Sequence, residues 1–102
     1  SQLQSTINAV LSGIDAMVAT IKLLRQQVAY LNQVQTPQAV LTLESSFSAY
    51  LSGKVNLMTH LDNLMRIYEL KMEEAMKIAM GWEELADLEE MVGLELKRIG
   101  GE

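Results

Sequence analysis

Between Leu3 and Leu31 the apolar positions fall into a heptad, with Ile7, Ile14, Ile21 and Val28 at one site and Leu3, Val10, Met17, Leu24 and Leu31 at the other. Alternating steps of three and four predict an amphipathic helix. Leu11 and Val18 widen the stripe to roughly 160° of the helix surface, more than one partner helix covers. The pattern stops at "NQVQTPQ". There Thr36 is a candidate cap, and Pro37 fits a first helical turn because its missing N–H has no partner in that position anyway. A second stripe runs through Leu43, Phe47, Tyr50, Leu51, Leu57, Met58, Leu61, Leu64, Met65, Tyr68, Met72, Met76 and Ala79 without slipping phase at Ser52-Gly53. It predicts one helix over 37–80. After Gly81-Trp82 the phase changes, because Leu85, Leu88, Val92, Leu96 and Ile99 lie nearly opposite the continuation of that stripe. Gly81 is the expected break or kink, followed by a shorter helix over 82–99. Glu83, Glu84 and Asp87 near its start and Lys97 and Arg98 at its end complement a helix dipole.

These elements predict an all-α single domain. Its plan is an antiparallel hairpin of two long helices, about 3–34 and 37–80, with a C-terminal helix over about 82–99, completed by oligomerisation into a helical bundle. A reversal near residue 35 makes the indices of facing residues total about 70. Arg25 is then expected beside Glu44, and Lys54 beside Asp15. Exposed pairs of this kind contribute about 0–1 kcal/mol and would tune register more than stability.

The segment "AVLSGIDAMV" at residues 9–18 returns as "AYLSGKVNLM" at residues 49–58. A glycine inside a helix costs about 1 kcal/mol relative to alanine, so each Ser-Gly step is expected where a neighbour approaches closely. Ser12, Gly13, Ala16, Ala19, Ser52 and Gly53 are the candidate self-association contacts.

Composition changes the picture in two respects. The 102 residues are 49% apolar and contain no cysteine, which excludes disulfides and thiolate metal sites. The formal net charge of −5 is unevenly spread. Residues 1–60 hold two acids and three bases, whereas residues 61–102 hold eleven acids and five bases. Without a basic stripe nucleic acid is not an expected partner. No basic segment leads into a short apolar run, so no signal peptide is expected, and the absent initiator Met points to processing or a tag remnant. No uncharged apolar stretch reaches about 18 residues, which argues against a stable membrane span.

Candidate chemistry is sparse. His60 is the only histidine, and "THLDNL" lacks the lysine and glycine surroundings of a phosphotransfer site, so a boundary side chain is expected. Glu69, Glu73 and Glu74 lack the Glu-x-x-His companion of a helical-bundle metal centre. No catalytic residue, cofactor or metal ligand is assigned, and the chain is not expected to be an enzyme. Six of seven methionines follow residue 57. Met58, Met65, Met72 and Met76 form a row that either fills the core or offers an adaptable groove to a helical client. Trp82 is expected to anchor the last helix or to serve an interface.

The expected function is structural: a self-associating helical subunit of a bundle, filament, sheath or particle. The alternative is a helical adaptor or secretion-type chaperone that holds a client helix. A weaker third reading places "INAVLSGIDAMVATIKLL" on a membrane surface, although it lacks a Lys- and Arg-rich polar face. Size and hairpin plan are similar to the small secreted helical-hairpin proteins of the WXG kind. The expected turn, however, reads "QTPQ" in place of Trp-x-Gly, and Gly81-Trp82 lies far from it, so membership is not assigned.

Overall fold

The computed structural model describes residues 1–101. They form an all-α helical hairpin with no strand among the described residues: α1 spans Gln2–Tyr30, a π-helical turn spans Leu31–Gln35, α2 spans Thr36–Leu51, and α3 spans Leu57–Ile99. The fold class is the one expected. The helix boundaries are not.

Thr36-Pro37 does not reverse the chain. Gln35 and Thr36 both have right-handed helical dihedrals, and no side chain caps α2. A proline within a helix removes one hydrogen bond and pushes against the carbonyl four residues earlier. The π-helical turn relieves this, because the Thr36 N–H reaches back five residues to the Leu31 carbonyl. Pro37 thus occupies the first turn of a renewed α-helix, as its chemistry requires, while the axis runs on.

The reversal lies instead at residues 52–56. Gly53 has a φ of +78°, the left-handed conformation that suits glycine. Its N–H donates to the Tyr50 carbonyl (3.1 Å), and the Lys54 N–H donates to the Ala49 carbonyl (2.8 Å). Those two bonds are the paired closures of a Schellman motif, which end α2. Asn56 then caps α3, its Oδ1 accepting from the Thr59 N–H (2.9 Å) and the Thr59 hydroxyl (3.0 Å).

Moving the turn corrects the register. Facing pairs are Gly13 with Met91, Gln27 with Lys77 and Ser46 with His60. Their indices total close to 105 instead of 70. Arg25 and Glu44 belong to one uninterrupted helical run and form no pair, and neither do Asp15 and Lys54. The ion pairs among the described residues are Arg66–Glu69 and Arg98–Glu95, both within α3 at 3.7 Å. The separate helix expected over 82–99 is a second correction, since α3 continues through Gly81 to Ile99. The phase change there is a change of which face is apolar, on one continuous helix.

Packing divides into two units, each described by itself. One is Gln26–Lys77, which holds the π-helical turn, α2, the reversal and the first half of α3. Leu31, Ile67 and Leu70 are its buried apolar side chains, with Ser46 the buried polar one. The other joins Ser1–Arg25 to the segment that begins at Ile78. Leu24 is buried there, and Val10, Ile14, Met17, Ile21, Leu85, Leu88 and Met91 are half-buried. From Val10 onward the heptad read from the first helix is therefore its inward stripe, whereas Leu3 and Ile7 are exposed.

Candidate functional site

Within Gln26–Lys77, α3 carries two rows of side chains at heptad spacing. The inward row is His60, Asn63, Ile67, Leu70, Glu74 and Lys77, all buried or half-buried. Four of these six are polar. The other row, Met58, Leu61, Met65, Tyr68, Met72 and Ala75, also alternates steps of three and four and contains no polar break except the tyrosine hydroxyl. Its five large members are 40–67% exposed. A helix of 3.5–3.6 residues per turn places these rows on opposite faces, so closing the hairpin with one leaves the other outside. On α2, Val40, Leu41, Phe47 and Leu51 are exposed as well.

Two of those inward polar side chains, His60 and Lys77, are held in hydrogen bonds to the facing segment. Ser46 Oγ donates to the Leu43 carbonyl (2.9 Å) and lies 2.7 Å from His60 Nδ1. The hydroxyl thus bridges the Leu43 carbonyl and the imidazole. Phe47 and Tyr50 flank the imidazole at centroid distances of 5.5 Å and 6.1 Å, the tyrosine ring nearly parallel to it. This serine is buried, and the pair joins α2 to α3. Deeper in the same unit, Lys77 Nζ donates to Gln27 Oε1 at 3.0 Å. Sequence reading left His60 at the boundary. Its partner becomes legible only once Gly53 is taken as the turn, because that places residue 60 level with residue 46.

The candidate contact residues scatter. Ser12, Ala16 and Ala19 are exposed. Gly13 faces its own chain, where an added Cβ would lie 3.7 Å from Met91 Cε. Ser52 and Gly53 belong to the turn, not to a notch in a helix. Met58, Met65, Met72 and Met76 are exposed, and so is Trp82.

Two further features complete the surface. A shallow pocket of about 220 Å³ is lined by Gln35, Gln38, Ala39, Thr42, Arg66 and Leu70. Among the described residues no three acidic or histidine side chains gather as a metal site. The helical run Gln2–Leu51 contains an 18-residue window of mean hydropathy 1.5, long and apolar enough by composition to cross a membrane, and only 6% of it is buried. Asp15 and Lys22 interrupt the apolar segment noted in the sequence. No family model, curated protein or solved structure matches this chain.

Proposed function

We propose that this chain is a non-catalytic assembly protein whose copies associate through their long amphipathic helices, as subunits of a helical bundle, filament, sheath or particle. The observation that carries this reading is the surface left uncovered. The chain exposes 7577 Å², whereas a compact monomer of 11.4 kDa exposes about 5,800 Å². The excess, about 1,800 Å², exceeds the roughly 800 Å² per partner of a standard stable interface. Among the described residues four apolar side chains are buried, while Leu11, Leu41, Phe47, Met65 and Met72 are among many that are half or more exposed. Apolar surface on this scale is a driving force for association.

Light scattering after gel filtration tests the reading. A mass that is a multiple of 11.4 kDa and rises with concentration supports it, and a monodisperse monomer at high concentration overturns it. The adaptor reading draws on the same exposed methionines, which re-pack readily around different helices. It requires a monomer or dimer that captures a client helix. The membrane reading draws on the apolar window in Gln2–Leu51 and requires co-sedimentation with liposomes.

A further inference from the structure

We propose that two copies of this chain pair in parallel through the outward row of α3, so that Met58, Leu61, Met65, Tyr68 and Met72 of one copy meet the same residues of the other. This rests on the self-association reading and names its contact. The row repeats with steps of three and four over 58–75, and an apolar row with that period is matched in geometry by another helix, whose side chains fill the gaps between its own. The occupant is a second copy because the two flanks of the row differ, acidic at Asp62 and Glu69 on one side and leucine and lysine at Leu57, Leu64 and Lys71 on the other, so the face complements a copy of itself. A symmetric pair needs one self-complementary face, and this row supplies it.

Charge decides the direction. On one flank of the row stand Asp62 and Glu69, and on the other Leu57, Leu64 and Lys71. A parallel pair sets unlike flanks against each other, so the acids of one copy lie beside leucine and lysine of the other. An antiparallel pair sets like flanks together and would place the Asp62 and Glu69 rows against themselves, where repulsion opposes docking. The reversal at Gly53 then lies at the same end in both copies.

The chain has no cysteine, so single introduced cysteines report without background. Under mild oxidation Met58→Cys, Met65→Cys and Met72→Cys are each expected to cross-link to themselves, with Ser45→Cys, exposed on α2, as the control that stays uncross-linked. Met65→Glu is expected to at least halve the mass seen by light scattering while far-UV circular dichroism stays unchanged. Cross-linking only in a mixture of Met58→Cys with Met72→Cys overturns the parallel direction. A multimeric wild type whose mass survives Met65→Glu, together with no cross-linking at Met65→Cys, overturns this face and leaves self-association standing. A monomeric wild type overturns both. Should Met65→Glu lose helicity, the three cysteine variants decide, since each replaces one apolar side chain with another.

Discussion

Replacing Gly53 with alanine separates two hairpins by the sign of its effect. Gly53 sits at a φ of +78°, where an L-residue with a Cβ loses about 1–2 kcal/mol. An added Cβ meets nothing within 4 Å, so neither a clash nor a packing gain alters that penalty. Alanine also narrows the unfolded ensemble, which offsets part of the loss and leaves a net destabilisation of about 1 kcal/mol. Had a helix run through residue 53, the same substitution would add about 1 kcal/mol of stability. The two architectures therefore differ by about 2 kcal/mol in this one measurement. For a domain of this size the expected loss lowers the melting temperature by about 4–8 °C. Far-UV circular dichroism reads it, at one fixed protein concentration, because association shifts apparent stability by mass action. Gly53→Asn should lose less than Gly53→Ala, since asparagine tolerates the left-handed region better. A melting temperature that rises with Gly53→Ala would refute the turn and restore the continuous helix over 37–80.

The remaining predictions concern the helix interior and the seam. Gly81→Ala should raise stability by about 1 kcal/mol, as for a glycine in an uninterrupted helix with open space around its Cβ; a loss in urea denaturation would point to a break at that residue. Leu70→Ala removes a side chain that is 1% exposed and should destabilise by about 2–5 kcal/mol, and a urea midpoint unchanged from wild type would remove Leu70 from the core. Gln27→Leu leaves the Lys77 ammonium half-buried without its acceptor and should cost about 1–3 kcal/mol. Adding Lys77→Leu should recover most of that, and a double-mutant cycle with no coupling would show that the 3.0 Å bond carries nothing.

What the sequence disclosed depended on how local the signal was. The inward stripe of α1 was legible because Val10, Ile14, Met17, Ile21 and Leu24 repeat with one period and meet no competing row. The turn was harder, since two sets of punctuation compete. Thr36-Pro37 resembles a helix start and is one in the narrow sense that the first-turn bonding is renewed there, but a π-helical turn absorbs the missing bond and the chain does not reverse. Ser52-Gly53 followed by Asn56 holds both a C-terminal glycine and an N-cap. The apolar stripe continued in phase across these residues because Phe47 and Leu51 before the turn and Met58 and Leu61 after it are all exposed. Periodicity marks a face that requires cover; it does not say whether the cover comes from the same chain.

That distinction bears on the methionine row, which the sequence left as either core or an exposed groove. Burying apolar surface is worth roughly 25 cal/mol per Å², so a sequence argument assigns the more apolar face of α3 to the hairpin core. The chain instead closes on the face bearing His60, Asn63, Glu74 and Lys77, where Ser46 and Gln27 hold two of those polar groups in hydrogen bonds. A slipped register would separate both pairs and leave polar groups half-buried without partners, a penalty of about 1–3 kcal/mol for each. An all-apolar seam slides at lower cost. The polar seam thus fixes register inside the chain, while the row at Met58, Met65 and Met72 makes no contribution to it. On the self-association reading, hairpin closure and contact between copies draw on different residues of one helix. A substitution at Met65 can then alter association while leaving the Ser46–His60 and Gln27–Lys77 bonds intact.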